Sequence, residues 1–264
     1  MIRRLNFSAA NHGDLNNNTA HQFAMQRALR IYRSNAIYTY IPKNACSTMR
    51  LSLAIENGCI DNEADYGWFH ANNNTFSADL ASLITARYTF VILRCPYARL
   101  ASAYLDKLVG NEPAGVFFAK MIGLSGSEVV TFDIFVKAMQ NPANRDANPH
   151  WRPQSDFLVY KQYDDYFCFE EFDQAISKVQ NETGMSVYDA RRFTGHGLDK
   201  LKLIDQGKHA KLQASEILSM KLKGECPSPR SLYNDELIAI VNKVFAADIE
   251  TYARHFGRKG LMFQ

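Results

Sequence analysis

The sequence predicts an α/β protein of three layers, in which a central, mainly parallel sheet carries helices on both faces. Two runs of strand-forming residues, 36–41 and 88–93, are apolar on both sides, which is typical of strands buried within a parallel sheet. Amphipathic helical stretches alternate with such runs along the chain, as they do in α/β folds. Polar residues and then a helix follow each run, so we expect strand–turn–helix junctions at the carboxyl edge of the sheet.

The remaining elements follow from weaker signals. Further strands are predicted at 157–160 and 166–169, where short apolar and aromatic runs recur. Helical periodicity and capping residues such as Thr131 predict helices at 47–57, 77–86, 96–109, 132–140, 170–183 and 234–255. Residues 110–127 and 141–154 are predicted to form long ordered loops, and such loops usually line functional sites.

Length and composition are those of a soluble globular protein. With 264 residues, 47% of them hydrophobic and 22% charged, the chain is long enough for one domain with a sizeable core. We expect residues 1–30 to form a peripheral arm and residues 31–264 to form that domain, because no repeat or Pro/Gly-rich linker divides the chain. The longest apolar runs fall short of the roughly 20 residues that a membrane helix needs. The N-terminus also lacks the apolar region of a secretory signal, so no membrane span is expected.

The cysteines indicate a reducing compartment. Their number, five, is odd, and no CxxC pair occurs among them, which fits free thiols better than a disulfide framework or a zinc site. We therefore expect a cytoplasmic protein. A net charge of +3 is too small to indicate a nucleic-acid partner, and none is expected. The sequence carries no signal for an oligomeric state.

Positive charge is concentrated in residues 191–223, which we call the basic segment. It holds eight Lys or Arg residues against three Asp or Glu residues, which gives it a net charge of +5. Two interpretations are open. The segment is either a solvated basic face or a mobile flap over an anionic ligand.

The first junction, YIPKNACSTMR at residues 40–50, has the composition of an anion site. If the strand ends at Pro42 and a helix begins near Ser47, the turn exposes backbone N–H groups at the positive end of the helix dipole. Lys43 adds a full positive charge, and Ser47 and Thr48 add hydroxyl donors. The turn resembles a P-loop in its physics, although it contains no glycine and lacks the Walker A motif. The alternative is a capped helix with an incidental lysine.

The second junction, YTFVILRCPYARLASAYLDK at residues 88–107, supplies a guanidinium group and a hydroxyl. The strand runs into Arg94, Pro96 suits the first turn of a helix, and Ser102 lies on the same helical face as Cys95. Arg94 and Ser102 can therefore converge at the carboxyl edge of the sheet, and together they suit a phosphate. The alternative is that Arg94 pairs with a local carboxylate and that Ser102 only packs. Two anion sites on one edge predict a ligand with two anionic groups.

The two junctions resemble, in this order, the 5′-phosphosulfate-binding and 3′-phosphate-binding motifs of the sulfotransferases that use 3′-phosphoadenosine 5′-phosphosulfate (PAPS). The carbohydrate sulfotransferase group, with its chondroitin, HNK-1 and uronyl 2-O types, is the most similar. NPHWRPQSDFL at 148–158 is similar to an HW-containing segment of that group, and the resemblance extends over residues 36–256. Members that reside in the Golgi carry a membrane anchor and disulfides. Neither is evident here, so the likeness is to soluble bacterial-type members.

The resemblance implies roles for particular residues. By position, it assigns the 5′-phosphosulfate group to Lys43, Asn44, Ala45, Cys46, Ser47 and Thr48. It assigns the 3′-phosphate to Arg94 and Ser102. It also implies PAPS as donor and 3′-phosphoadenosine 5′-phosphate (PAP) as product, with no metal. Cys95 stands where the family usually has Asp, and a weaker N-cap there costs about 1 kcal/mol of local order.

Two histidines are candidates for the general base that the acceptor hydroxyl requires. His70 lies between the two donor motifs, where the uronyl 2-O-sulfotransferases place a catalytic histidine. His150 stands beside Trp151 and Arg152, residues suited to stacking on a sugar and to pairing with an acidic group. We expect His70 to be the base, with His150, Trp151 and Arg152 as contacts to the acceptor, and Lys43 to stabilise the departing phosphate. Either histidine could instead be structural.

The expected function is therefore transfer of a sulfuryl group from PAPS to a hydroxyl of a carbohydrate or glycoconjugate. Two other classes are open alternatives. A P-loop kinase would need a glycine-rich Walker A motif and a magnesium-binding acid, and neither is visible in the sequence. A non-catalytic protein that binds nucleotides or sulfated glycans would keep Lys43, Arg94 and Ser102 but would lack a base.

Overall fold

The computed structural model of the chain describes residues 2–10, 12–72, 74–193, 198 and 200–264. The chain divides into two compact units. The first consists of Met1–Arg94 and Gln154–Gly195, and the second of Cys95–Pro153 and His196–Gln264. The division into an arm and a single domain stays a prediction.

The helices and strands are numbered in chain order. Up to the second junction they are α1 (Thr19–Met25), β1 (Ala28–Ile31), β2 (Ala36–Thr39), α2 (Cys46–Glu56), α3 (Trp68–Ala71), α4 (Leu80–Thr85) and β3 (Tyr88–Leu93). After it come α5 (Pro96–Lys107), α6 (Pro113–Met121), α7 (Phe132–Ala138), α8 (Pro142–Arg145), β4 (Asp165–Cys168) and α9 (Phe172–Thr183). The last are β5 (Lys202–Ile204), α10 (Ala214–Leu222), β6 (Glu225–Pro227), α11 (Asp235–Val244) and α12 (Ala246–Phe256).

The first unit is built on a four-stranded sheet in the order β1-β2-β3-β4. β2, β3 and β4 run parallel, and β1 pairs antiparallel with β2 at one edge. The predicted α/β class, with a mainly parallel central sheet and helices around it, is therefore confirmed. β1 begins at Ala28, within the range expected to form the peripheral arm.

The two central strands of the sheet, β2 and β3, are buried on both sides. All residues of β2 and β3 are buried, as their apolar sequences predict. Tyr38 stacks on Phe90 of the neighbouring strand at a ring-centroid distance of 5.1 Å, and Leu51 and Leu53 of α2 belong to the same core. Full burial of each such side chain contributes about 1.5–3 kcal/mol.

The register of the sheet brings the two junctions to one edge. Thr39, the last residue of β2, lies opposite Val91 of β3, so both strands end on the same side. The turn that follows β2 and the residue that follows β3, Arg94, therefore both belong to the carboxyl edge of this sheet. Open α/β sheets bind ligands at that edge.

The strand predicted at 157–160 is wrong. Residues Gln154–Phe157 form a 3-10 turn, and Tyr160 makes one isolated antiparallel bridge with Leu5. The carbonyl of Val159 accepts a hydrogen bond of 2.8 Å from the backbone N–H of Asn6. The run is apolar because these residues are buried, and a buried strand has the same pattern. Their backbone partners, however, come from the N-terminal segment and not from the sheet.

Three other predictions on element boundaries are corrected. The loops predicted at 110–127 and 141–154 contain the helices α6 and α8, and the helix predicted at 234–255 is two helices that meet at Phe245. Gly115 lies within α6 and is required by packing, since a Cβ there would lie 2.1 Å from the carbonyl oxygen of Lys107. At Phe245 the φ and ψ angles of −111° and 28° break the helical path.

The second unit has an aromatic core. Tyr104, Phe118, Phe132, Phe135 and Trp151 are fully buried and in edge or tilted ring contact with one another. β5 and β6 form a separate two-stranded parallel sheet, which α10 packs against. Over the described residues of both units, no helix is long and apolar enough to cross a membrane.

Candidate active site

The turn between β2 and α2 has an unusual backbone. Lys43 and Ala45 adopt φ angles of 72° and 56°, in the left-handed region, although neither is glycine. Such a conformation costs of order 1–3 kcal/mol at each residue and is concentrated at functional sites. Left-handed residues that alternate with ordinary ones are also the backbone pattern of the anion-binding nests of proteins.

The first turn of α2 keeps its backbone donors available. The first bond that closes this helix runs from the N–H of Met49 to the carbonyl of Ala45, at 3.1 Å. Among the described residues, none accepts a hydrogen bond from the backbone N–H of Cys46, Ser47 or Thr48. Ala45 provides no side-chain cap. An 11-residue helix whose first N–H groups are not capped presents its positive end to an anion.

Asn44 and Gln154 fix the turn to the strand β3. Asn44 is fully buried, and its side-chain NH₂ donates to the carbonyl of Ile92 at 2.9 Å and to Oε1 of Gln154 at 2.6 Å. Gln154 pairs in turn with the backbone of Arg94, because its Oε1 accepts from the Arg94 N–H at 3.0 Å and its Nε2 donates to the Arg94 carbonyl at 2.8 Å. The turn is thereby held against the end of β3 and the backbone of Arg94.

The Arg94 side chain lies against the turn. Its Nη1 donates to the carbonyl of Lys43 at 2.8 Å, and its guanidinium carbon lies 4.3 Å from the ring centroid of Phe169. This bond uses one of the five N–H donors of a guanidinium group. Arg94 therefore both supports the strained carbonyl of Lys43 and brings positive charge to the mouth of the turn.

His70 lies on α3 and is exposed. Arg50 of α2 holds this helix in place, because its buried guanidinium donates to the carbonyl of Phe69 at 2.8 Å and lies 4.6 Å from the Phe69 ring centroid. The same α2 begins at the anion-binding turn. The helix α2 thus links the turn, at its N-terminus, to the short helix that carries His70.

Tyr66 is a hydrogen-bond partner of His70. The Tyr66 hydroxyl lies 3.2 Å from Nε2 of His70. Its ring contacts Phe69 edge-on and stacks on Phe193 at 5.4 Å. Burial raises the pKa of Tyr66, so the phenol is protonated at neutral pH.

Thr48 has a structural partner. Its hydroxyl oxygen accepts the backbone N–H of Ala190 at 3.2 Å, and Ser52, one turn later in α2, accepts the N–H of Tyr188 at 2.8 Å. The segment after α9 is therefore fastened along α2. Thr48 keeps its O–H as a donor, since it uses only a lone pair in this contact.

The other predicted site residues belong to the second unit. Ser102 lies half-buried in α5. The helix has no side-chain cap at Cys95, which is buried and whose sulfur accepts the N–H of Met262 at 3.3 Å. The predicted convergence of Ser102 with Arg94 on one phosphate stays a prediction.

His150 has a defined tautomer in its neutral form. Oδ1 of Asn148 accepts the backbone N–H of His150 at 3.0 Å, which identifies this atom as the oxygen of the amide. The ring Nδ1 of His150 lies 2.8 Å from the same oxygen, so Nδ1 must carry the proton. The lone pair is therefore on Nε2.

Trp151 does not present a face to a sugar. Its side chain is fully buried, with ring contacts to Phe118 at 5.4 Å and Phe135 at 5.7 Å, and its Nε1 donates to the carbonyl of Asn144. This burial argues against the stacking role predicted for it and makes Trp151 part of the core of the second unit. The sequence showed an aromatic residue beside a histidine but not which way the ring points.

Arg152 is half-buried near the same turn. Its Nη1 lies 3.4 Å from the carbonyl of Asp146, and its own carbonyl accepts from Arg99. Arg99 is 2% exposed and also donates to the carbonyl of Pro149. This buried arginine fixes the backbone that carries His150 and Arg152.

Sequence reasoning missed Gln154, Tyr66 and Arg50. Gln154 closes the segment that contains His150, and Tyr66 stands four residues before His70, a spacing that places two side chains on one face of a helical turn. That spacing is the one signal that could have identified Tyr66.

Within the part of the chain that the structure describes, no group of three or more His, Cys, Asp or Glu residues is placed to hold a metal ion.

Comparison with known proteins gives the class of this chain. A model of the sulfotransferase family matches residues 26–252, which is most of the sequence. The chain belongs to the sulfotransferase family, and its activity class is the transfer of sulfur-containing groups. Neither the curated proteins nor the solved structures yield a match.

Proposed function

We propose that this sulfotransferase uses PAPS as its donor and transfers the sulfuryl group to a hydroxyl of a carbohydrate or glycoconjugate. The observation that carries the proposal is the glycine-free turn at residues 43–48, with two left-handed residues and uncapped N–H groups at the start of α2. A backbone strained in this way at a helix N-terminus fits an anionic group. The residues present therefore suit the 5′-phosphosulfate end of PAPS.

The turn and Arg94 would hold the donor by charge. The N–H groups of Cys46, Ser47 and Thr48 surround the 5′-phosphosulfate group in this proposal, and Arg94 with Ser102 takes the 3′-phosphate. Charge-assisted hydrogen bonds of this kind contribute about 1.5–3 kcal/mol each. The proposed donor site needs no metal, because the positive charge of Lys43 stabilises the negative charge that develops on the departing phosphate oxygen.

The reaction would be an in-line displacement at sulfur. A bond forms between the acceptor oxygen and sulfur while the bond between sulfur and the phosphate oxygen breaks, and the protein contributes positioning and charge stabilisation. His70 takes the proton of the acceptor hydroxyl. Support for His70 comes from its place in the first unit, where Arg50 of α2, the helix that begins at the turn, donates to the carbonyl of the neighbouring Phe69.

His150 and Arg152 are proposed as acceptor contacts. Asn148 orients the His150 ring through Nδ1, and in this proposal His150 contacts a sugar hydroxyl of the acceptor. Arg152 supplies a cation suited to a carboxylate or sulfate on a sugar. Trp151 has no part in this contact.

All five cysteines are free thiols, which supports a cytoplasmic, reducing location.

The experiment that tests this function is product analysis. The protein is incubated with PAPS and a panel of sugars and glycoconjugates, without added metal, and the products are examined by mass spectrometry. We expect a sulfated acceptor and one equivalent of PAP for each sulfate transferred. PAP release that is independent of every acceptor, with the acceptors unchanged, would contradict the proposal.

A further inference from the structure

Gln154 is a buried side chain to which both junctions of the first unit are bonded. It is 2% exposed and begins the 3-10 turn Gln154–Phe157. Its Oε1 accepts from the side-chain NH₂ of Asn44 at 2.6 Å and from the backbone N–H of Arg94 at 3.0 Å. Its Nε2 donates to the carbonyl of Arg94 at 2.8 Å. One amide group therefore joins the middle of the anion-binding turn to the residue that follows β3.

The backbone of Arg94 determines which way this amide points. A backbone N–H only donates and a carbonyl only accepts, so the oxygen of the amide faces the Arg94 N–H and its nitrogen faces the Arg94 carbonyl. The side chain at position 154 must therefore accept and donate at once. Lysine cannot accept, and an ionised glutamate cannot donate, so neither has the hydrogen-bonding pattern that glutamine supplies here.

The bonds of Gln154 complete a closed circuit around the strained part of the turn. Asn44 stands between Lys43 and Ala45, whose φ angles of 72° and 56° are left-handed. Such conformations persist only where surrounding contacts impose them. The circuit runs from Asn44 to Gln154, from Gln154 to Arg94, and from the Arg94 guanidinium to the carbonyl of Lys43. Removal of the amide opens this circuit at two of its bonds.

We propose that Gln154 is a positioning residue for the sulfuryl donor, and that its amide keeps the turn and Arg94 in the arrangement that binds the two anionic groups of the donor. This inference rests on the proposed function, in which the turn holds the 5′-phosphosulfate group and Arg94 contributes to the 3′-phosphate site. Gln154 acts through Asn44 and Arg94 and touches no substrate. Loss of the amide therefore weakens donor binding although every group that contacts the donor is still present.

Gln154→Glu tests this inference, because its protonation changes the hydrogen-bonding pattern. A neutral carboxyl donates and accepts as the amide does, whereas a carboxylate turns an oxygen toward the Arg94 carbonyl. Burial raises the pKa of such a carboxyl, so the comparison is made at about pH 5.5 and about pH 9. Calorimetry measures the dissociation constant of PAP for the variant and for wild type at each pH, and the ratio of the two constants is the readout.

The ratio isolates the introduced carboxyl from other titrating groups. PAP itself and the ionisable side chains around position 154 are the same in both proteins. On the turn that Gln154 begins, on α1, which packs against that turn through Phe23 and Phe157, and at the two junctions, these side chains are Asp156, His21, Lys43, Cys46 and Arg94. A ratio that depends on pH therefore reports the protonation of the glutamate.

We expect Gln154→Glu to bind PAP like wild type at the lower pH and about tenfold or more weakly at the higher pH, as loss of one or two hydrogen bonds predicts. Gln154→Met keeps an unbranched side chain of similar length without the amide and should be about tenfold weaker at both pH values. Gln22→Glu is the matched control, because the Gln22 amide also donates to a backbone carbonyl, that of Leu15 at 3.2 Å. It should bind PAP like wild type at both pH values.

Two results would overturn the inference alone. One is a ratio for Gln154→Glu that is the same at both pH values, and the other is a folded Gln154→Met that binds PAP like wild type. If wild type does not bind PAP at all, the proposed function fails, and this inference fails with it.

Discussion

Lys43 and Ala45 hold left-handed backbone conformations that glycine would adopt without strain. The interactions that impose them are visible in the structure. Asn44 between them is tied to Ile92 and Gln154, and the Lys43 carbonyl is held by Arg94. The residues of the turn are thus fixed by buried hydrogen bonds and leave their outward donors for a ligand.

Arg94 should contribute directly to donor binding. We expect Arg94→Ala to reduce the stabilisation of the protein by PAP by about 1.5–3 kcal/mol, the contribution of a charge-assisted hydrogen bond. Thermal unfolding with and without PAP measures the difference. Arg33→Ala is the matched control, because the Arg33 side chain is 81% exposed. Equal stabilisation of wild type and Arg94→Ala would remove Arg94 from the site.

The two histidines should differ in kinetics. His70→Ala is expected to lower kcat by about 10² to 10⁴-fold with little change in PAP affinity, because a general base acts on the acceptor. His150→Ala should mainly raise the acceptor KM, as loss of a ground-state contact does. Steady-state kinetics measures both, with the exposed His12→Ala as control. Loss of turnover in His150→Ala alone would reverse these roles.

At the scale of elements, β3 and β4 are joined to the N-terminal segment by Asp164. Arg3 pairs with this carboxylate at 2.7 Å, and the Thr89 N–H donates to it at 2.7 Å. Burial alone would raise the pKa of Asp164, but the hydrogen bonds from Arg3 and Thr89 outweigh it and lower the pKa. A carboxyl whose pKa is lower in the folded state stabilises the fold above its unfolded pKa of about 3.9.

Asp164→Asn should therefore destabilise the protein by about 1.5–3 kcal/mol at pH 7. The difference from wild type should shrink as the pH falls below about 4, because the unfolded chain then binds a proton at Asp164 that the native carboxylate takes up only at still lower pH. Urea unfolding at several pH values measures it, and the exposed Asp61→Asn serves as control. A deficit that stays constant down to pH 2 would contradict the linkage.

The basic segment contains regular structure. β5 and α10 lie within it, Lys202 pairs with Glu225, and Lys221 donates to the carbonyl of Leu105. Residues 194–197 and 199, including the acidic Asp199, lie outside the described residues. The structure leaves both the flap and the solvated face open as interpretations.

If the basic segment closes over the nucleotide, PAP should slow amide exchange in residues 191–223, because segments that order on ligand binding come from the less stable parts of a fold. Hydrogen–deuterium exchange with mass spectrometry measures this. α7, outside the segment, provides the internal comparison. Protection that is unchanged by PAP would favour the solvated face.

Elements with strong local signals were predictable. β3 was predicted to the residue, and α5 begins at Pro96 as expected. Elements whose identity depends on distant contacts were not. β1 has only four residues and is defined by its pairing with β2. The helix α6 contains a glycine, which weakens the helical signal of the sequence and which its packing against Lys107 requires.

The same distinction holds for the site. The turn at 43–48 was predictable because charge, hydroxyls and a helix start are adjacent in the sequence. The buried positions of Trp151 and Gln154 depend on contacts that no local pattern encodes.

At the scale of the whole molecule, the family match spans parts of both units, and the candidate site residues are likewise divided between them. The turn, Arg94 and His70 lie in the first unit, and Ser102, His150 and Arg152 in the second. Binding of the nucleotide product is the simplest property that tests the proposed donor site.

The most direct test of the central claim is thermal unfolding of the full chain with PAP in the absence of magnesium, compared with ATP plus magnesium. A ligand present at about 100 times its dissociation constant adds about 2.7 kcal/mol to the stability of the folded state. The proposed site predicts this stabilisation by PAP without any metal and a much smaller effect of ATP. Stabilisation by ATP with magnesium, and none by PAP, would contradict the account.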